Sequence, residues 1–161
     1  MTATEEDRYV QLQSLALDYA REGDTKGLEK MLRYGMPINL GTHKGDTLLM
    51  LATYNGCVDT TSILIQKGAN IDQKNQRGQT PLEGACFKGK LPIVKLLVEN
   101  GATIDKNAII YASIFGHKDI VYYLTKQGVD GSRSKVFGVF IDIVVAISFK
   151  IKTLFKTKDT I

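Results

Sequence analysis

Residues 78–102 read GQTPLEGACFKGKLPIVKLLVENGA, and residues 45–69, which read GDTLLMLATYNGCVDTTSILIQKGA, have the same layout 33 positions earlier. Turn glycines keep this spacing in two series, Gly23, Gly56, Gly89 and Gly35, Gly68, Gly101. Self-similarity at a fixed period of this size is typical of a repeat array in which each unit packs only against its neighbours. We therefore predict a stack with one long surface, an architecture that binds other molecules and seldom catalyses.

Each unit contains the start and stop signals of a helix pair. Thr80 stands directly before Pro81, where a hydroxyl can cap a helix whose first-turn proline gives up an amide that would be unpaired anyway. Gly89 and Gly101 follow the two apolar stretches and permit the left-handed backbone that commonly ends a helix. The pattern predicts two helices per unit, with a turn at Gly78 before the first of them.

The residues of these units resemble the ankyrin repeat. In the third unit the matches are Gly78, Thr80, Pro81, Leu82, Ala85, Gly89, Val94, Leu96, Leu97, Gly101 and Ala102. In the second unit they are Gly45, Thr47, Leu49, Ala52, Gly56, Leu64, Gly68 and Ala69. The resemblance covers about residues 10–130. It implies an all-α ankyrin-repeat solenoid of stacked helix–turn–helix pairs with β-hairpin fingers, about four units long, plus a C-terminal capping helix.

The spacing also predicts where the units begin and end. The interval from Gly101 to Gly128 is shorter than the regular period, and no Gly-x-Thr-Pro hairpin precedes the fourth helix pair. We expect residues 1–130 to form the stack, with its binding surface shortened at this end. Its predicted parts are an N-terminal cap unit (9–40), two full repeats (41–73 and 74–105) and a truncated repeat (106–130).

The N-terminal unit is predicted from helical periodicity alone. Its first helix should end at Gly23, and Asp24 or Thr25 should cap the second helix. The apolar positions expected to face the core of the first helix are Leu12, Leu15, Ala16, Tyr19 and Ala20. Those of the second helix are Leu28, Met31 and Leu32.

The predicted C-terminal extension, residues 131–161, contains the whole net positive charge. It has six Lys or Arg residues against two acidic ones, whereas residues 1–130 have 15 of each. Its apolar stretch, 136–149, is shorter than the ~20 residues of a membrane span. Three interpretations stay open: a helix that caps the truncated repeat, a membrane-surface segment, or pairing with a partner or a second copy. In the membrane interpretation the contacts would come from Phe137, Phe140, Lys150, Lys152 and Lys156.

The family resemblance implies that a protein partner meets the hairpin tips and the inner helices. The corresponding residues are His43, Lys44, Asp46, Tyr54, Asn55, Gln76, Arg77, Gln79, Phe87, Lys88, Ile114 and Phe115. Tyr54, Phe87 and Ile114 occupy equivalent positions and would form an apolar stripe along the concave face. Aromatic anchors with a polar rim are typical of a protein-binding patch. The alternative is that Phe87 and Ile114 fold back into the helix contact.

Few residues point to catalysis or to a metal. His43 and His117 lie in different units, without a paired Cys or carboxylate at metal-ligand spacing, and no nucleotide-binding, zinc-finger or nucleophile motif is present. We expect a non-enzyme without a cofactor. His43 is the single weak candidate for a haem or metal ligand, and His117 stands where the ankyrin pattern has a structural histidine. Cys57 and Cys86 are interpreted as small reduced core residues.

The whole array is most similar to small bacterial single-domain ankyrin proteins, including those linked with catalase. This similarity implies a non-catalytic accessory role, with catalase or another haem enzyme as the protein partner. The alternatives are a membrane-surface adaptor that uses the C-terminal segment and a small haem carrier that uses His43. The balanced charge of residues 1–130 argues against a nucleic-acid partner. Because the acidic N-terminus lacks the features of a secretory signal, we expect a cytoplasmic location.

Overall fold

The computed structural model describes residues 3–127, which contain eight helices in four helical hairpins. In chain order the helices are α1 (Ala3–Glu22), α2 (Thr25–Arg33), α3 (Leu48–Asn55), α4 (Val58–Gln66), α5 (Pro81–Lys88), α6 (Leu91–Glu99), α7 (Lys106–Ile114) and α8 (Lys118–Gln127). The capping helix predicted within 131–161 lies outside the described residues, as do the residues expected to contact a membrane, Phe137, Phe140, Lys150, Lys152 and Lys156.

The hairpins stack side by side in two layers. The first helices of the units, α1, α3, α5 and α7, pack in sequence and form the inner layer. The second helices, α2, α4, α6 and α8, form the outer layer, and each also packs on the first helix of its own unit. This arrangement confirms the predicted all-α solenoid.

Short polar caps start the inner helices, as the sequence predicted for Thr80. The Thr80 hydroxyl accepts a hydrogen bond from the Glu83 amide (3.2 Å), and the Glu83 carboxylate accepts one from the Thr80 amide (3.3 Å). This reciprocal capping box pairs two amides that a helix end otherwise leaves open. In the fourth unit a single hydrogen bond caps α7: the Asp105 carboxylate accepts from the Ala108 amide at 3.0 Å. In the first unit Asp24, not Thr25, caps α2.

The prediction for α1 is partly wrong. Ala16 and Ala20 are fully buried against the stack, as expected, but Leu12 and Leu15 remain 41% and 39% exposed. For Leu12 the reason is length: α1 has 20 residues, whereas its inner-layer neighbour α3 has eight, so the N-terminal half of α1 continues past the helix on which it packs. Leu15 is exposed because it lies outside the helix face formed by Ala16 and Ala20.

The core consists of two clusters of buried side chains, and two partly buried side chains pack against both. The N-terminal cluster joins α1 to α4, and the C-terminal cluster joins α5 to α8. Ile65 and Ile71, both half-buried, contact both clusters. A continuous core in a stack forms in this way, because each unit buries its apolar face only against its neighbours.

The linkers between units differ in length, and this difference determines which units have a hairpin. The linkers formed by residues 34–47 and 67–80 are each more than twice as long as the linker formed by residues 100–105. The two long linkers contain hairpin turns, and the short one leads directly to the Asp105 cap. The predicted loss of the hairpin before the fourth helix pair is thereby confirmed.

Candidate functional site

The two long linkers form hairpins, which we call finger 1 (residues 41–47) and finger 2 (residues 74–80). In finger 1 the Thr42 amide donates to the Asp46 carbonyl at 3.0 Å, and Gly41 and Thr47 face each other in an antiparallel bridge. In finger 2 the Asn75 amide donates to the Gln79 carbonyl, also at 3.0 Å. Both turns are tight and project from the inner layer.

Hydrogen bonds tie the fingers to each other. The Gln76 amide donates to the Lys44 carbonyl (3.0 Å), and the Gln76 side-chain amide donates to the His43 carbonyl (2.7 Å). Asn75 also donates to the Asp46 carboxylate at 2.6 Å. The backbones come close because residue 45 is glycine: a Cβ there would lie 3.3 Å from the Asn75 Cα, at a φ of +77° that L-residues rarely adopt. The fingers are thus held as one surface.

Four aromatic side chains connect the inner helices, and we call them the aromatic cluster: Tyr54, Phe87, Tyr111 and Phe115. Phe87, half-buried at the centre, stacks on Tyr54 (ring centroids 6.1 Å apart) and meets Phe115 edge-on (4.4 Å) and Tyr111 edge-on (6.4 Å). Ring pairs with these separations and orientations are favourable beyond the area they bury. Tyr54 and Phe115 remain exposed on the outer side of the cluster.

A groove of about 450 Å³, which we call the central groove, lies between finger 2 and the aromatic cluster. Such a volume is within the ~300–1,000 Å³ range of ligand sites. The lining residues come from α1, from α3, from α5 and from both fingers: Arg21, Asp46, Met50, Leu51, Thr53, Tyr54, Asn55, Asn75, Arg77, Gln79, Thr80, Pro81, Gly84 and Phe87.

The structure places the predicted partner-binding residues in three groups. His43, Lys44 and Asp46 belong to finger 1, and Gln76, Arg77 and Gln79 belong to finger 2. Tyr54, Asn55, Phe87 and Lys88 occupy the C-terminal ends of α3 and α5. Ile114 and Phe115 stand at the end of α7, where Ile114 is 55% exposed. The partner-binding role of all twelve stays a prediction.

Sequence reasoning did not assign nine residues of this surface to partner binding: Arg21, Met50, Leu51, Thr53, Asn75, Thr80, Pro81, Gly84 and Tyr111. Tyr111 joins the aromatic cluster, Gly84 lines the central groove, and Arg21 reaches it from α1. The glycine spacing could have identified Arg21, which stands one period before Tyr54, at the same distance from Gly23 as Tyr54 is from Gly56. A comparison of equivalent positions would have flagged Gly84, which stands where the neighbouring units have Leu51 and Tyr111.

The two histidines are far apart in the stack and have different environments. His43 is exposed on finger 1. His117 packs against the turn at Gly89, and its Nε2 donates to the Phe87 carbonyl at 3.2 Å. The described part of the chain contains no group of three or more His, Cys, Asp or Glu side chains placed to bind a metal ion.

Both cysteines are free thiols that burial makes less acidic. Cys86 is fully buried, and burial together with the Asp105 and Glu83 charges raises its pKa to about 12. Burial also raises the pKa of Cys57, partly offset by the attraction of Lys90. The thiolate is the reactive form. Neither thiol is therefore poised as a nucleophile at neutral pH.

A buried carboxyl pair lies beneath the contact between the third and fourth units. Glu83 is 2% exposed and accepts a hydrogen bond from Asn107 at 3.3 Å. Burial raises the pKa of Glu83 most, and a hydrogen bond with Asp105 and the repulsion of its charge raise it further. The Asn107 and Thr80 hydrogen bonds lower it in part. The pair joins the third and fourth units.

Within residues 3–127, no helix combines the length and the apolar character that crossing a bilayer requires.

Comparisons with known proteins agree on the family. The chain matches the family model for ankyrin repeats (3 copies) over residues 17–108. It is 52% identical over 46 residues to the ankyrin repeat protein PA3287 of Pseudomonas aeruginosa, a match that covers 29% of this chain and 27% of that protein. It also resembles the crystal structure of the human ASB11 ankyrin repeat domain, with a TM-score of 0.65 and 27% identity over 71% of this chain and 54% of that one.

These relatives extend beyond the matched segments, which span about a quarter of the Pseudomonas protein and about half of the human domain. The family assignment rests on the family model, whose match covers more than half of the chain. The glycine spacing, the eight stacked helices of the described residues and this match together establish that the protein belongs to the ankyrin repeat family.

Proposed function

We propose that the protein is a non-catalytic scaffold that binds one protein partner on its concave face, through the fingers and the aromatic cluster. Ankyrin repeats in general form protein–protein interaction modules. The observation that carries the proposal is the aromatic cluster, whose outer members Tyr54 and Phe115 stay exposed beside the two linked fingers. Exposed apolar groups with a polar rim mark interaction sites, and aromatic anchors supply much of the binding energy.

The fingers would contribute orientation to this contact more than affinity. The side chains at their tips, His43, Lys44, Gln76 and Arg77, are polar or charged and exposed, and exposed ion pairs contribute little, about 0–1 kcal/mol each. Their backbones are fixed by the Gln76 hydrogen bonds to His43 and Lys44, so a partner would not have to order them. A pre-organised surface of this kind reduces the entropy lost on binding.

The double substitution Tyr54→Ala and Phe87→Ala tests the proposal. Removal of two adjacent anchors should lower affinity at least about 100-fold, since hot-spot aromatics each contribute ~2 kcal/mol or more. The measurement is affinity capture from lysate on immobilised full-length chain, followed by titration of the retained protein. Circular dichroism checks that the variant remains folded.

The matched control removes two exposed aromatics from elsewhere, Tyr34 after α2 and Tyr122 on α8. The variant Tyr34→Ala with Tyr122→Ala should capture the same protein as the wild type. Equal capture by both double variants would refute docking on the concave face.

Catalase or a similar haem enzyme is the partner that the sequence resemblance suggests. The direct measurement is titration of purified catalase from the same organism into the full-length chain. Binding by the wild type, with loss of binding in the Tyr54→Ala and Phe87→Ala variant, supports this partner. Absence of binding by the wild type excludes catalase and leaves the scaffold proposal to the capture experiment.

A second candidate role is recruitment to a membrane surface, favoured by the apolar stretch 136–149 and by the net charge of +4 that lies wholly in residues 131–161. Apolar burial and basic residues together favour binding to anionic bilayers. Flotation of the full-length chain with phosphatidylserine vesicles measures this. A chain that stays at the bottom of the gradient at low salt has no such role.

A further inference from the structure

Gly84 leaves an opening in α5 that the backbone does not require. It lies in the interior of a regular helix, and its φ is not in the left-handed region. A Cβ at this position would meet a single neighbouring atom, Tyr54 Cδ2 at 3.7 Å, which is an ordinary contact. Glycine in a helix interior costs about 1 kcal/mol relative to alanine. The chain therefore gives up helix stability at a position where a side chain would fit.

The equivalent positions in the neighbouring units have large side chains. Leu51 stands one full period before Gly84, and Tyr111 stands one shortened period after it. Both intervals are those of the glycine series, so the three positions have the same place on their helices. The absence of a side chain at Gly84 thus makes a gap between Leu51 and Tyr111.

This gap is part of the central groove. Leu51, Tyr54, Pro81 and Phe87 line the groove around Gly84, and they give it apolar walls. Tyr54 and Phe87 stack with rings nearly parallel, at 12°, which leaves flat faces beside the opening. An aliphatic or aromatic side chain is the group that would fill such a space with favourable contacts.

The charged groups at the groove have a small excess of positive charge. The Arg77 side chain is 67% exposed, and its guanidinium makes a long ion pair with Asp46 at 3.9 Å. The Asp46 carboxylate also accepts a closer hydrogen bond from Asn75, at 2.6 Å. The Lys88 ammonium lies 4.6 Å from the centre of the Tyr54 ring. Arg21 lines the groove and pairs with Asp18. The three cations, Arg21, Arg77 and Lys88, thus exceed the two carboxylates, Asp18 and Asp46, by one charge, and complementary potentials favour an acidic ligand.

We propose that the central groove binds an extended segment of the partner that places one aliphatic or aromatic side chain over Gly84 and flanking carboxylates beside Arg77 and Lys88. This inference rests on the proposed function and specifies the chemistry that the partner presents. The bidentate geometry of a guanidinium suits carboxylate recognition, which makes Arg77 the main polar contact. The apolar anchor supplies affinity, and the acidic neighbours supply orientation.

The test uses peptide display, with random peptides of about 12 residues selected on the immobilised full-length chain. Enriched sequences should combine Asp or Glu with a Leu, Ile, Met or aromatic residue. Their affinity should fall at least about tenfold on Gly84→Leu, which closes the groove with the residue found at position 51, and on Arg77→Glu. The reversed charge of Lys26→Glu, on the outer-layer helix α2, should leave the affinity unchanged.

Gly84→Ala provides a second variant if Gly84→Leu unfolds, since a Cβ alone fits without a clash and narrows the same space. Enrichment of neutral or basic peptides, or affinity that withstands both the Gly84 and Arg77 substitutions, overturns the inference. A selection that enriches no sequence overturns it as well. In each of these cases the scaffold proposal is judged separately, by the loss of partner capture on Tyr54→Ala with Phe87→Ala.

Discussion

At the scale of single residues, two glycines of the third unit, Gly84 and Gly89, have opposite roles. Gly84, inside α5, has space for a side chain, whereas Gly89, at the end of α5, does not. At Gly89 the φ is +69°, and a Cβ would lie 2.4 Å from the His117 ring. The glycine that belongs to the repeat pattern is therefore required by the fold, and the glycine that departs from its neighbours is not.

These environments predict opposite effects of the same substitution. Gly84→Ala should stabilise the chain by up to about 1 kcal/mol, because alanine loses less backbone entropy in a helix. Gly89→Ala should destabilise it by at least about 1–2 kcal/mol, through left-handed strain and displacement of His117. Urea unfolding of the two variants measures both changes. Destabilisation by Gly84→Ala would mean that the opening is a packing requirement after all.

The carboxyl of Glu83 predicts a pH dependence of stability. Its pKa is raised in the folded chain, so folding favours the protonated form. The stability that this contributes is complete below the ordinary pKa of Glu and is lost as the pH rises through the raised value. Glu83→Gln mimics the protonated form and removes the charge beside Asp105. We expect the melting temperature of Glu83→Gln, relative to that of the wild type, to rise as the pH increases from 4 to 7. This window includes the ordinary pKa of Glu, about 4.3.

Glu99→Gln at the exposed end of α6 is the control for the Glu83 experiment. It removes the same charge from a solvated position, where screening keeps the effect small. Parallel pH profiles for the wild type and Glu83→Gln would show that Glu83 titrates as an ordinary surface carboxylate.

At the scale of elements, the linkers hold neighbouring units together with side-chain hydrogen bonds that follow the repeat. Asn39 accepts from the Asn70 amide at 2.8 Å, and one period later Asp72 accepts from the Thr103 amide at 3.0 Å and from its hydroxyl at 2.6 Å. The third member of this series, Asp105, caps α7 instead. In the shortened linker Asp105 therefore caps a helix, whereas Asn39 and Asp72 bond the next linker of the stack.

Asp72→Ala should loosen the attachment of the fourth unit. Hydrogen bonds to a charged group contribute ~1.5–3 kcal/mol, and the exposure of this pair reduces that to about 1 kcal/mol. Hydrogen exchange should show faster exchange of the Thr103 amide and of α7, with α1 to α4 unaffected. Asp72→Asn, which keeps an acceptor oxygen, should show a smaller effect. Uniform acceleration along all helices would contradict a local attachment.

Local features of these elements could be predicted from the sequence, and features that depend on neighbours could not. The Thr80 cap, the helix end at Gly89 and the missing third finger follow from residues within a few positions of one another. The exposure of Leu12 depends on where the neighbouring helix α3 ends, which helical periodicity does not encode. The central groove depends on Tyr54, which lies in another unit from the glycine that opens it.

At the scale of the whole molecule, the two core clusters share few apolar side chains. Ile65 and Ile71 are the partly buried side chains of the described residues that contact both clusters. In a stack whose stability is the sum of unit and interface contributions, weakening one interface lets the two sides unfold separately. Cooperative unfolding of this chain should therefore depend on these two side chains together with the packing of α3 on α5 and the hydrogen bonds between the fingers.

Ile65→Ala tests this coupling against Ile104→Ala, which removes the same atoms from the C-terminal cluster alone. Both should cost less than the ~2–5 kcal/mol of a fully buried isoleucine, because both side chains are half-buried. Only Ile65→Ala should also lower the slope of the urea transition or split it in two, since that slope reports the surface exposed in one cooperative step. Identical slopes in the two variants would show that the clusters unfold as one body regardless of Ile65.

The open position at Gly84 has a consequence for anyone who evolves this protein in the laboratory. A screen that rewards heat resistance should favour alanine or leucine at residue 84 early, because either restores ordinary helix propensity. If the central groove works as we propose, such a variant survives heating but binds its partner more weakly. Selection for partner capture at moderate temperature should retain the glycine, so the two selections diverge at one codon.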